Sequence, residues 1–268
     1  MKIGCQTFTW EMLGDTWAGT TEEIVRAIGA AGYEGIEITN NMIGGYDRDA
    51  DAFRRLLNES GLAFVAYAFS TPSGFTVAEK ADEDLEAASS AMDFISAFPG
   101  TVLSLGCPTD HRGIGDGAAI EIAGGIFNRV GELGRQRSIP VAFHPSSHHG
   151  SVVVSRDQYQ RIMAATDSGL VKWVPDTGHI IRGAQDIPET LSLFRDRISY
   201  VHLKDADRAG NWQMMGTGDC DIAGVIAHLR GELGFDGWIV GEEESDEAGR
   251  DPAAAVRVNR EFLTQTVA

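Results

Sequence analysis

Short apolar runs of strand length alternate along this chain with longer stretches in which apolar positions recur every three or four residues. The first texture suits parallel strands buried on both faces, and the second suits helices with one buried stripe. Residues 2–10 read as a first strand ending in polar and aromatic side chains. Thr20-Thr21-Glu22-Glu23 then supplies capping residues ahead of Ile24, Val25, Ala27 and Ile28 at helical spacing, and Gly32 ends that helix. Residues 33–38 form a second strand, 49–60 a helix, 62–69 a third strand, 79–98 a helix and 101–105 a fourth strand. A helix over 116–137 keeps Ile and Val on one face despite Gly124 and Gly125. A fifth strand begins at Pro140, a helix spans 155–165 and a sixth strand begins at Val171. A helix over 186–196 places Pro188 in its first turn and leads to a seventh strand at Ile198, with helices over 221–233 and 252–266 flanking an eighth.

About eight strand and helix units with no linker-like break predict an α/β fold, a single-domain (β/α)8 TIM barrel over residues 1–268. A doubly wound open sheet is the alternative. No GxGxxG follows the first strand, so its usual cofactor signature is absent.

Hydrophobic content of 43% and charged content of 23% are ordinary for a globular enzyme. A formal net charge of -17 argues against nucleic acid as a partner, since phosphate binding relies on Lys and Arg. Cys5, Cys107 and Cys220 are widely spaced and in no CxxC pattern, which fits a reduced, cytoplasmic setting. There is no signal-like n-region and h-region, and no apolar run reaches the 18 or so residues of a membrane span.

Four predicted strands break at their C-terminal ends into side chains that bind metals or move protons. They are Pro140-Val141-Ala142-Phe143-His144-Pro145, Val171-Lys172-Trp173-Val174-Pro175-Asp176, Ser199-Tyr200-Val201-His202-Leu203-Lys204-Asp205 and Gly237-Trp238-Ile239-Val240-Gly241-Glu242-Glu243-Glu244. In a barrel these ends build the active site, so His144, Asp176, His202 and Glu242 read as one divalent-metal site. A mixed imidazole and carboxylate set suits Mn²⁺, Co²⁺, Zn²⁺ or Fe²⁺ better than Ca²⁺. The expected cofactor is one divalent ion, Mn²⁺ first, with Mg²⁺ among the alternatives.

Asp176-Thr177-Gly178-His179, Val201-His202-Leu203-Lys204-Asp205, the Gly216-Thr217-Gly218-Asp219-Cys220-Asp221 turn and Gly237-Trp238 leading to Glu242 together resemble the xylose isomerase-like barrel superfamily. Within it, the sugar phosphate isomerase/epimerase and inosose dehydratase branch is the most similar. Gly4 to Trp10 and Gly32-Tyr33-Glu34-Gly35-Ile36-Glu37 fit as well, so the resemblance covers nearly the whole chain. It implies a metal held by the ends of strands five to eight, at positions 144, 176, 202 and 242. Family epimerases place a glutamate on strand five, working opposite the strand-eight glutamate, whereas this chain has His144. The segment His144-Pro145-Ser146-Ser147-His148-His149 is similar to the histidine cluster of dehydratase-like members, so a histidine serves here as ligand or base.

The shared chemistry is removal of a proton next to a carbonyl, helped by a Lewis-acidic metal. Return of the proton gives an epimer or isomer, and loss of a β-hydroxyl gives a dehydratase. Candidate bases are Glu37, His148, His149 and Glu242, with Glu37 alternatively a substrate-hydroxyl acceptor. Lys204 follows His202 by two, so both face one side, where Lys204 would bind a substrate oxygen. His179, Trp10, Glu244 and His149 are expected to contact substrate, and Phe69 and Trp212 offer further flat faces. Glu243 should point away into solvent.

The leading expectation is a metal-dependent sugar isomerase or epimerase acting on a keto sugar or keto polyol. A lyase on an inosose or 3-keto sugar is the alternative, and a non-catalytic carbohydrate-binding barrel is a second. The expected partner is a small carbohydrate or cyclitol, with no nucleic acid and no membrane, and the resemblance implies a homo-oligomer.

Overall fold

In the computed structural model, which describes residues 1–267, the chain runs through β1 (Lys2–Gln6), β2 (Gly35–Thr39), β3 (Ala63–Phe69), β4 (Val102–Leu105), β5 (Val141–Phe143), β6 (Lys172–Trp173) and β7 (Val201–Leu203). A small hairpin of β8 (Asp205–Ala206) and β9 (Trp212–Gln213) precedes β10 (Trp238–Gly241). Eight of these strands form one parallel sheet in the order β6-β5-β4-β3-β2-β1-β10-β7. Its two free edges meet through isolated parallel bridges, Trp173 to Ile198 and Asp176 to His202, so the sheet curls into the expected barrel.

Two apolar layers hold the barrel. Val65, Ala66, Ala142, Val174, Tyr200 and Val240 cluster apart from the larger core. The larger core lies between sheet and helices and includes Ile36, Phe53, Phe127 and Trp173. So narrow a ring tolerates no side chain at Gly35, where a Cβ would stand 2.5 Å from Val65 and 2.8 Å from Trp238.

Helix starts follow the capping chemistry. Thr20 and Glu23 form a reciprocal capping box ahead of Thr21–Ala30, and Ser155 and Gln158 do the same ahead of Arg156–Ala165. The long helix Asp116–Arg137 runs through its glycines because Gly124 lies against Ala165, where a Cβ would come within 2.6 Å of the alanine methyl. Among the described residues, no helix is long and apolar enough to cross a membrane.

Three local departures from the sequence reading matter for the site. The first strand stops at Gln6 and the chain turns into a short helix, Phe8–Glu11, rather than running extended to Trp10. A short helix, Thr177–Arg182, begins directly at Asp176. The β8–β9 hairpin lies beyond β7, with the following turn gathered by Asp205, whose carboxylate accepts N–H groups from Gly216 at 2.9 Å, Gly218 at 3.0 Å and Cys220 at 3.1 Å.

Candidate active site

The C-terminal ends of four strands bring their side chains to one point. His144 follows β5, its N–H bonded to Leu105 O at 2.8 Å. Asp176 caps the helix Thr177–Arg182, where Oδ1 accepts the His179 N–H at 2.9 Å. That leaves Oδ2 to His144 Nε2 at 3.4 Å and His202 Nδ1 at 3.7 Å. Glu242, just past β10, places Oε2 at 2.8 Å from His202 Nδ1 and Oε1 at 2.5 Å from Lys204 Nζ. One donor atom from each of His144, Asp176, His202 and Glu242 lies within 4.8 Å of all the others. Four donors arranged tetrahedrally about 2.1 Å from one cation stand roughly 3.4 Å apart, so the four have room for one ion.

His202 carries the test of fit. Its Nδ1 is buried and has no hydrogen-bond partner, although two carboxylates stand beside it. Its Nε2 lies 2.6 Å from Glu37 Oε2, and Gln6 Nε2 donates to Glu37 Oε1 at 3.3 Å. A ring that gives its Nε2–H to a carboxylate presents an Nδ1 lone pair, the usual arrangement behind a metal-ligating histidine. Glu37 therefore has both oxygens engaged and orients His202, a different position from that of a free base or hydroxyl acceptor.

Burial opposes every charge here, and the neighbours decide the outcome. It works against a charged His202, yet Glu37, Asp176 and Glu242 hold that imidazolium well above its ordinary range. Burial pushes Asp176 and Glu242 up, but Lys204 above all holds both well below the usual carboxylate range. Lys204 is itself 1% exposed, and against the pull of burial Glu242, Glu244 and Asp176 keep it firmly cationic. The carboxylates of Glu37, Asp176, Glu242 and Glu244 outnumber this lysine, an excess that a divalent cation would offset.

A second cluster, His148, His179 and Glu244, also has its donor atoms within 4.8 Å of one another but is differently wired. The Ser147 N–H donates to His179 Nδ1 at 3.0 Å, so Nδ1 bears a lone pair and the proton of the neutral ring sits on Nε2. Burial first and Lys204 second push this imidazole well below its ordinary range and keep it neutral. Its Nε2 is then a donor and cannot ligate a cation. It faces Lys204 Nζ at 3.2 Å, two donors turned on one small volume, which suits an oxygen of a substrate. His148, at the more open end, has Nε2 3.5 Å from Glu244 Oε1 and a side chain 41% exposed.

A cavity of about 160 Å³ opens over the four-residue cluster, with Phe8, Phe69, His144, His148, His179 and Glu242 in its wall. Trp10, expected against substrate, is instead 2% exposed within the core, because the turn into Phe8–Glu11 hands the cavity to Phe8. His149 is exposed and does not line this cavity. Trp212 packs edge-on against His179 at 5.1 Å, with the Lys204 ammonium 4.6 Å from its ring centre. Glu244 bonds Lys204 as its parity with Glu242 implied. Glu243 does point away, but it is 1% exposed rather than solvated, accepting Asn259 Nδ2 and the Ser245 N–H at 2.8 Å each. Ser147 and Gln6 went unnoticed in the sequence; one meets His179 Nδ1 through both its N–H and, at 2.8 Å, its Oγ, the other stands behind Glu37, and neither leaves a motif.

The family described as xylose isomerase-like TIM barrel matches residues 25–266. The inosose dehydratase of Geobacillus thermodenitrificans is 24% identical over 99% of this chain and 97% of its own length. Among solved structures, a D-allulose 3-epimerase from Methylomonas sp. superposes with a TM-score of 0.79 at 18% identity, covering 99% of this chain and 98% of that one. The IOLI protein, solved with a zinc atom bound, superposes with a TM-score of 0.80 at 15% identity, covering 100% of this chain and 98% of that one.

Proposed function

The chain belongs to the xylose isomerase-like TIM barrel family, and we propose that it is a divalent-metal-dependent enzyme that removes a proton next to the carbonyl of a keto sugar or keto cyclitol. Loss of a β-hydroxyl, a dehydratase outcome, is the reading the site supports best. The observation that carries it is the pair of hydrogen-bond donors, His179 Nε2–H and Lys204 Nζ, 3.2 Å apart beside the four-residue cluster. A departing hydroxyl needs such a donor. The resemblance implies a second carboxylate at this position in epimerases of the family, and this chain has His144 there. The inosose dehydratase that aligns over nearly the whole chain favours the same outcome.

His144, Asp176, His202 and Glu242 would hold the cation, with Mn²⁺ the first expectation. When bound, it supplies Lewis-acid polarisation of a carbonyl and its neighbouring hydroxyl. Glu37 and Gln6 keep the His202 ring in one orientation. His148, 3.5 Å from Glu244, stands at the open side of the cavity as the base that takes the proton. Lys204 offsets charge on the oxygen that gains it, the neutral His179 donates its Nε2–H as a hydrogen bond to the oxygen that leaves, and the proton taken up by His148 departs with that oxygen as water. Phe8 and Phe69 flank the reacting ring and thin the water around it.

Isomerisation or epimerisation shares the first step and differs in where the proton returns. Incubation with keto sugars and inososes in D₂O, with and without Mn²⁺, tests the reading. Metal-dependent deuterium uptake beside the carbonyl, with product lighter by one water, is the expected result. Uptake without loss of water would move the assignment to an isomerase or epimerase, and bound metal with no exchange on any substrate would remove the catalytic reading.

A further inference from the structure

The cavity above the cluster shares part of its wall with a much larger groove of about 580 Å³. Asn40, Phe69 and Ser70 line both. Asn40 Nδ2 donates to Ser70 O at 3.1 Å and the Ser70 N–H returns a bond to Asn40 Oδ1 at 3.3 Å, so a hydrogen-bonded sill joins the ends of β2 and β3 between the two volumes.

The groove is a preformed surface. Its wall after β3 is organised by Ser73, whose Oγ donates to buried Asp84 at 2.5 Å and accepts the Phe75 N–H at 2.9 Å. Phe75 is held at φ 58°, an unfavourable conformation for an aromatic residue, with its ring buried against Phe127 at 5.3 Å. Such a conformation persists only where the surroundings over-determine it.

The lining chemistry selects the occupant. Pro72, Val77 and Ala87 contribute apolar surface, and Thr71 joins the sill in offering neutral hydrogen-bonding groups. The fixed cations are already matched, Lys80 by Glu83 at 2.7 Å and Arg112 by Glu79 at 3.2 Å, and Asp84 adds another carboxylate. A phosphate would meet no unpaired permanent charge here. A sugar ring, with apolar C–H faces and neutral hydroxyls, matches both halves of the wall.

We infer that the substrate is a glycoside, with the ring bearing the carbonyl in the small cavity and a second, neutral sugar residue in the groove beyond the Asn40–Ser70 sill. This rests on the keto-sugar reading of the active site.

The test uses the Mn²⁺-loaded full chain and three ligands: a keto monosaccharide, the disaccharide carrying it as one ring, and the phosphate ester of the monosaccharide. Direct binding by calorimetry is measured beside turnover. The disaccharide should bind at least about tenfold tighter than the monosaccharide, the gain of one well-seated ring. Ala87→Trp, at an exposed helix position that tolerates the larger ring, should cut that ratio towards one, mainly through KM. Equal binding of mono- and disaccharide, a ratio unmoved by Ala87→Trp, or a preference for the phosphate ester would overturn the inference. Preferential, Ala87-sensitive binding without turnover would keep the subsite while removing the enzymatic reading.

Discussion

Two clusters of imidazole and carboxylate stand side by side, each with its donor atoms within 4.8 Å, and both draw on residue types that bind metals. What separates them is the partner of the far nitrogen. His202 bonds the Glu37 carboxylate through Nε2 at 2.6 Å and turns Nδ1 inwards towards Asp176 and Glu242, a nitrogen open to a cation once its proton is shed. His179 accepts a backbone N–H on Nδ1 at 3.0 Å and turns a proton inwards. The first arrangement suits a cation, and the second suits an oxygen of a substrate. Lys204 touches both, bonded to Glu242 on one side and Glu244 on the other.

The sharpest way to break this comparison is to remove one member of each cluster. His202→Ala or Asp176→Ala should abolish retention of the metal and all activity, whereas His179→Ala should keep the metal and lose activity. Elemental analysis of the three purified variants decides it, and loss of metal from His179→Ala alone would reverse the roles. Next in size is the proton traffic. His148→Ala should lower kcat by about 10² to 10⁴ with metal content intact, the range for a lost general base, read by steady-state kinetics on any substrate that exchanges.

Glu37→Gln probes the orienting carboxylate and should weaken metal affinity about 10 to 100-fold, whereas Glu244→Gln should leave it unchanged, measured by competition with a chelator. The smallest effect concerns pH. The carboxylates around His202 raise its affinity for protons despite its burial, so proton and cation compete for Nδ1. Asp176 and Glu242 are held well below the usual carboxylate range and stay ionised as pH falls. Metal affinity should therefore rise with pH through the range in which His202 sheds its proton, then level off. Affinity that fell with rising pH would contradict this.

Much of this contrast was legible in the chain before folding. A buried parallel strand reads as an apolar run, and its end declares itself where the run breaks into His202 or Asp176, so the four ligand candidates came from local pattern. Helix Asp116–Arg137 was legible for the same reason. Trp10 was misplaced because alternation cannot show that a strand stops at Gln6 and coils. Glu243 looked solvated because its partner, Asn259, lies on the C-terminal helix, beyond any local pattern. The functional split between His179 and His202 was out of reach, since it depends on a backbone N–H at Ser147 and a carboxylate on β2 brought in by barrel closure. The groove beyond Ser70 likewise exists only once the chain after β3 meets the segment carrying Arg112.

The most direct test of the metal assignment is the stoichiometry of Mn²⁺ bound to the intact chain after stripping and reconstitution, measured by elemental analysis against protein concentration. One ion per chain is the predicted result. Two ions would mean that His148, His179 and Glu244 ligate after all, and none would mean that His144, Asp176, His202 and Glu242 form a buried charge network without a cation.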